Sequence, residues 1–281
     1  SRQRSFLCRR SMYADRKTLF LFLPMNKPIL LTFWTHGNEY RLKKCLEYIP
    51  EHYFRFFDTL DVNEEAIRKN KRFVHFDMNR TAPWDILSDE YELRRGAEIH
   101  TIMQNYRVVI DIHGTDSDTG SFVLLPRASA NHIVLASVFQ SENIILWQSG
   151  LWKSWWPIVQ FHPLALEIET WPINETMLRT LAENIIHFLD MASQKYDLWE
   201  YLERLKNRNI FLVVARLDRK KAVSIPNRDF ERVEIEGEEY FTLLTDNPYP
   251  ETRCYLMKKK ELSELFLSPL PDFSSPVTDI F

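Results

Sequence analysis

The residues best suited to chemistry fall in three short polar clusters: Thr35-His36-Gly37-Asn38-Glu39, Asp77-Met78-Asn79-Arg80 and Asp111-Ile112-His113. His36 and Glu39 stand three positions apart, close enough for an imidazole and a carboxylate to grip one cation. His113 comes from a distant part of the chain and can close the set. Two histidines and a glutamate, with a fourth position left to water, make a common catalytic zinc site. Other first-row divalent ions accept the same donors. The HxxE spacing alone is weak evidence, because either side chain is as readily a solvated loop residue. What gives it weight is the company it keeps.

Each cluster directly follows an apolar run: residues 28–34 (PILLTFW), 73–76 and 107–112 (RVVIDI). Continuous apolar runs of this length read as strands buried on both faces of an α/β sheet. In such sheets the loops past the carboxyl ends of the strands converge on the ligand crevice. Further strands are predicted at Phe122–Leu125, 143–147 and 164–168, and helices at 40–49, 85–106 and Glu175–Ala192. The alternation implies an α/β fold, a mostly parallel mixed sheet flanked by helices. After about residue 207 the pattern changes to short strands at 211–215, Arg232–Ile235 and 240–244, then a lysine-rich helix from Lys258. The expected organisation is an N-terminal extension (1–24), a catalytic domain (25–206) and a small β-rich C-terminal domain (207–281).

Composition narrows the function classes. The chain has 281 residues, 45% of them apolar, with a net charge of -3, so it can build a sizeable core and lacks the basic excess of a nucleic-acid binder. Its cysteines, Cys8, Cys45 and Cys254, are odd in number and without CxxC spacing, which argues against a disulfide framework or a thiolate metal site. No apolar run approaches the ~20 residues of a membrane-spanning helix. Arg2, Arg4, Arg9, Arg10 and Arg16 give the first residues a transit-peptide-like composition, while Met25 offers an alternative start. Residues 1–24 are read as a non-catalytic extension, and the expected location is cytoplasmic.

Taken in order, THGNE at 35–39, DMNR at 77–80, DIH at 111–113 and Leu166-Glu167-Ile168 resemble the motifs of the aspartoacylase and succinylglutamate desuccinylase family. Its members are zinc amidohydrolases with a carboxypeptidase-like fold, and the resemblance covers roughly residues 28–195. It implies one Zn²⁺ per chain, held by His36, Glu39 and His113. It makes Glu167 the general base, in register with Pro163 and Pro172, and Arg72 the group that polarises the scissile carbonyl. Asn79 and Arg80 match the pair that holds a substrate carboxylate, a task suited to the planar fork of arginine. Asp77 matches a residue that orients a metal-binding side chain, or else caps its own turn. Asp111 reads as a similar partner or as a solvated strand end. Glu169 lies two residues beyond Glu167 and so on the same face of its strand; the register favours Glu167. A late tyrosine that contacts substrate falls at Tyr255.

The sequence departs from the family in three places. Phe33 and Trp34 stand where glycines usually precede the first motif, Glu169 stands near where a glycine follows the base, and Pro157 replaces a substrate-binding arginine. Lys153, among Trp152, Trp155 and Trp156, is the candidate to supply the missing charge. The expected activity is hydrolysis of the amide bond of a small-molecule N-acyl amino acid, with neither nucleic acid nor membrane as partner and homo-oligomerisation left open. The alternatives are a small zinc carboxypeptidase and a non-catalytic binding protein that retains the scaffold.

Overall fold

The computed structural model describes residues 29–114, 120–127, 129–147, 157–192, 198–220, 225–245 and 249–267. Its frame is a ten-stranded sheet in the order β2-β1-β3-β6-β4-β5-β7-β10-β9-β8. The strands are β1 (Ile29–Phe33), β2 (Phe57–Asp61), β3 (Val108–Gly114), β4 (Phe122–Leu125) and β5 (Asn143–Leu146), then β6 (Ala165–Thr170), β7 (Asn209–Asp218), β8 (Arg232–Ile235), β9 (Glu238–Leu243) and β10 (Thr252–Lys260). β2, β1, β3 and β6 run parallel, as do β4, β5 and β7. The two groups meet antiparallel where β4 pairs with β6, and β10, β9 and β8 extend the same sheet antiparallel beyond β7.

The pleat sorts the central strands into two faces. Leu31 and Phe33, Ile110 and Ile112, and Leu166 and Ile168 enter the largest core, covered by helices α3 (Ala130–Ser137), α4 (Glu175–Ala192) and α5 (Leu198–Leu205). The opposite face begins apolar. Leu30, Val109 and Ala165 pack beneath Ile99 and Met103 of helix α2 (Tyr91–Met103). Farther along the same face the residues turn polar: Thr32, Asp111 and Glu167 lie abreast in register, and His113 lies abreast of Glu169. On the far side Phe122 and Leu124 of β4 join Trp147, Phe211 and Tyr255 in a third apolar cluster. Each such side chain contributes roughly 1.5–3 kcal/mol by leaving water, so a polar shelf is held between two apolar blocks.

Three expected elements are corrected. Residues 73–76 are not a strand; the backbone N–H groups of Val74, His75 and Phe76 bond to the carboxylate of Glu92. The partner beside β1 is instead β2, a half-exposed edge strand whose Asp58 and Asp61 hide it from an apolar-run reading. Residues 258–260 belong to strand β10, and the helix is confined to Leu262–Leu267 (α6), after α1 at Glu64–Arg68. Residues 40–49 form tight 3₁₀ turns over Leu42–Tyr48 in place of an α-helix. Cys45 and Cys254 are buried thiols, and no described helix is long and apolar enough to cross a membrane.

His132 in α3 is 1% exposed; its Nδ1 faces Ser129 Oγ at 2.6 Å and its Nε2 has no hydrogen-bond partner among the described residues. Burial, helped by Arg127 and His162, pushes its pKa down from 6.5 to about 3. The folded state therefore refuses a proton that the unfolded chain accepts. The associated stability is complete above pH 6.5 and drains away as pH falls toward 3, by about 2 kcal/mol at pH 5. Urea midpoints at pH 7.5 and pH 5 check this: His132→Gln should lose less stability between the two than the wild type. An equal loss would remove His132 as the cause.

Candidate functional site

The three polar clusters meet at the carboxyl ends of β1, β3 and β6. After β1 the chain turns at Trp34, whose φ of 66° lies in the left-handed region that favours glycine. The turn is held because Trp34 O accepts from Asn63 N at 3.0 Å, its indole Nε1 donates to Tyr40 O at 3.0 Å, and Lys43 lies 4.8 Å over the ring. The following 3₁₀ turn, Gly37–Glu39, presents His36 and Glu39 on one side. Gly37 has no alternative here, since a Cβ would fall 2.4 Å from Lys71 O and 2.5 Å from the Ala66 carbonyl carbon. Its N–H donates to Arg72 O at 2.9 Å, which ties Arg72 to the same corner.

His36 Nδ1 lies 2.7 Å from Glu39 Oε1, and His113 Nδ1 lies 3.5 Å from Glu39 Oε2. The two imidazole centroids are 5.2 Å apart. The other nitrogen of each ring rests on a different carboxylate: His36 Nε2 on Asp77 Oδ1 at 3.1 Å, and His113 Nε2 on Asp111 Oδ2 at 2.7 Å. Each Nε2 therefore faces an outer carboxylate and each Nδ1 faces Glu39, where a bare lone pair would be repelled, so both Nδ1 positions call for a proton or a cation between them and the glutamate. Carboxylates behind ligating histidines fix tautomer and ring orientation in this way. Asp77 also accepts from Asn79 N at 2.9 Å, so it caps its own turn as well.

The electrostatics of the cluster call for positive charge. Burial and Arg72 draw the His36 pKa down, but Glu39 and Asp77 outweigh them and hold it above its usual value. Burial likewise opposes protonation of His113, and Asp111 and Glu39 overcome it by a wide margin. Burial works against ionised Glu39, yet the two imidazoles pull its pKa to about 2. His36, Glu39 and His113 offer ligand atoms within 4.8 Å of one another, and Glu39 Oε2 has no hydrogen-bond partner among the described residues. This donor set fits a divalent cation. Asp111, His113 and Glu167 form a second such group. There, however, Asp111 already accepts from Thr32 Oγ1 at 2.6 Å and from Thr35 Oγ1 at 3.1 Å, besides its contact with His113 Nε2.

Of the remaining expected residues, all but Lys153 lie beside this cluster. Glu167 is 2% exposed, with Oε1 3.7 Å from His113 Nε2 and without a hydrogen-bond partner among the described residues. Burial pushes its pKa up to about 7, against the pull of His113. Glu169 shares its face and is also raised by burial. Arg72 Nη2 reaches His36 Nε2 at 3.1 Å. Asn79 Oδ1 accepts from Ile158 N at 2.7 Å. Arg80 stays charged despite burial because Asp77 lies close by, with Tyr249, Tyr255 and Glu167 adding to the effect. Lys153 lies outside the described residues.

Sequence reading passed over Tyr249. Its hydroxyl donates to Asp77 and its ring lies 5.9 Å from the Arg80 guanidinium. Tyr255 stands in β10 with its ring edge on Trp147 at 4.9 Å. Tyr249 follows Asn247-Pro248 in a turn-rich stretch, so no strand or helix period marks it out.

No family model matches the chain. Among curated proteins it is similar to a probable aspartoacylase of Prochlorococcus marinus, with 25% identity over 228 residues, 74% of this chain and 72% of the relative. It is also similar to an N-acyl-aromatic-L-amino acid amidohydrolase (carboxylate-forming) of Xenopus laevis, with 22% identity over 80% of this chain and 82% of the relative. Among solved structures it shares the fold of murine aminoacylase 3 (TM-score 0.63, 14% identity, 85% of this chain and 97% of that one). The succinylglutamate desuccinylase of Chromobacterium violaceum is similar to the same degree (TM-score 0.62, 15% identity, 84% and 86%). The resemblance carried by the motifs is borne out in sequence and in fold.

Elemental analysis should find about one divalent ion per chain, lost in His113→Ala. Asp111→Asn, which keeps the ligands but weakens the hold on His113, should lower metal affinity roughly 10–100-fold. Unchanged affinity in Asp111→Asn would detach Asp111 from the metal centre.

Proposed function

We propose that this chain, similar in sequence to a probable aspartoacylase and an N-acyl amino acid amidohydrolase and in fold to aminoacylase 3 and a succinylglutamate desuccinylase, is a zinc-dependent amidohydrolase that cleaves N-acyl amino acids into a carboxylate and an amine. The observation that carries the reading is the convergence of both imidazole Nδ1 atoms on Glu39 while Asp77 and Asp111 hold the opposite nitrogens. When bound, the ion supplies Lewis acidity, polarising a carbonyl and lowering the pKa of a coordinated water from 15.7 toward ~7.

The chain's own residues do the rest. Glu167, buried beside His113 and Arg80, is the base: its carboxylate takes the proton of the attacking water and returns it to the leaving nitrogen. Arg72, at the rim of the imidazole pair, steadies the negative charge that develops on the attacked carbonyl oxygen. Asn79 Nδ2 and Arg80 hold the free carboxylate of the amino acid and so orient the amide. Tyr249, brought in from the C-terminal segment, closes the Asp77–Arg80 side, which suits a small ligand better than a peptide running through.

Glu167→Gln should bind metal normally and lose roughly 10²–10⁴-fold in kcat on an N-acetyl amino acid panel spanning acidic, aliphatic and aromatic side chains. Because Glu167 must be ionised to accept a proton, kcat/KM should rise with pH. The acid limb should lie at or below its burial-raised value of about 7, since a nearby cation draws it lower. Metal-loaded protein that hydrolyses no member of the panel would refute the amidohydrolase reading and leave a binding protein on this scaffold.

A further inference from the structure

The segment carrying Asp77, Asn79 and Arg80 has no strand partner, yet it must hold its side chains still. What it has is one stripe of helix α2. Glu92, Gly96 and His100 stand four residues apart, and therefore one above another on the helix surface. Glu92 is fully buried, and its carboxylate accepts the backbone N–H groups of Val74, of His75 at 2.9 Å and of Phe76 at 3.0 Å, with Asn63 Nδ2 at 3.4 Å. Its hydrogen-bond partners among the described residues are all uncharged. One turn on, a Cβ at Gly96 would fall 2.0 Å from Thr81 Oγ1 and 2.4 Å from Thr81 Cβ, so the segment lies directly on the helix. One turn further, His100 Nε2 donates to Thr81 O at 3.1 Å. Between these fixings Met78 is sunk into the cluster that contains Ile99 and Met103 of the same helix.

We propose that Glu92, backed by Gly96 and His100, is a positioning residue for substrate recognition: it fixes residues 74–81 so that Asn79 and Arg80 are presented to the substrate carboxylate. The inference rests on the reading of Asn79 and Arg80 as the carboxylate-holding pair. A carboxylate is acceptor-only and can satisfy all of these donors at once. A glutamine of the same shape turns an NH₂ toward donors and leaves a buried N–H without a partner. Among the described residues Glu92 bonds to neither imidazole and reaches the metal site only through Asp77 of the segment it holds, so with metal at saturation its loss should be felt chiefly in how the substrate is held.

The test compares an N-acetyl amino acid with its carboxamide, which lacks the free carboxylate, in metal-loaded wild type, Glu92→Gln and Gly96→Ala. Both variants should keep full metal content and raise KM for the carboxylate substrate roughly 10-fold or more, with kcat within about 3-fold, while turnover of the carboxamide is unmoved. Gly96→Ala leaves every Glu92 hydrogen bond in place and acts by pushing on Thr81, whose Oγ1 donates to Met78 O within the same segment. The same signature in both would therefore assign the effect to placement of the segment. A loss shared equally by both substrates, as a merely destabilised protein would give, overturns the proposal, and so does an unchanged carboxylate preference. Amide exchange provides a readout without turnover: Val74, His75 and Phe76 should exchange at least ~10-fold faster in Glu92→Gln while the amides of α2 hold. Unchanged exchange there overturns the clamp even if the variant is impaired. Wild type inactive on both substrates would overturn the underlying amidohydrolase reading instead, with the exchange rates still deciding whether Glu92 holds the segment.

Discussion

A carboxylate in the middle of a sheet is tolerable only if every oxygen is occupied, and Asp111 meets that condition by binding three elements together. It is fully buried in β3; Thr32 of β1 and Thr35 of the following turn donate to it, and His113 of its own strand leans on it. An unpaired charge at this depth would cost several kcal/mol. The requirement fixes the rotamers of the two threonines and the tilt of the imidazole at once. Once His113 is fixed, Glu39 has a defined partner across the corner, and His36 a defined place beside it. Asp77 repeats the arrangement from the other side, taking His36 while capping its own turn.

This arrangement explains why the fold surrounds the site with apolar mass. The polar shelf on β1, β3 and β6 lies between the cluster under α2 and the cluster built from β4, β5, β7 and β10. Both keep water from competing for the carboxylates and so strengthen each charge interaction between them. The same burial raises Glu167 toward neutrality, where a carboxylate is a more effective proton acceptor.

Much of this was legible because the chemistry coincides with the pleat. Asp111 and His113, and Glu167 and Glu169, are spaced by two in runs otherwise apolar, so their shared face can be read from the sequence. The expected orienting roles of Asp77 and Asp111 correspond to contacts at Nε2 of each imidazole. Other parts left no local signal. Residues 73–76 look like a strand because their apolar side chains say nothing about Glu92, which satisfies their backbone from another element. The edge strand β2 is half polar, and β10 ends in three lysines that suggest a helix until its pairing with β7 is seen. Tyr249 meets Asp77 across 172 positions of sequence, a contact that only the finished topology brings about.

The register of the central strands has a further consequence for how such a protein can vary. Thr32, Asp111 and Glu167 stand abreast because β1, β3 and β6 are aligned residue for residue. One inserted or deleted residue in any of them would turn its threonine, carboxylate or imidazole into the apolar core on the other face and bring an apolar side chain onto the shelf. Length can change in the connections between strands, where an added residue leaves the pleat untouched. Within the strands only substitution is tolerated. Diversification of this scaffold is thus confined by the geometry of the sheet to its loops and to single exchanges on one face.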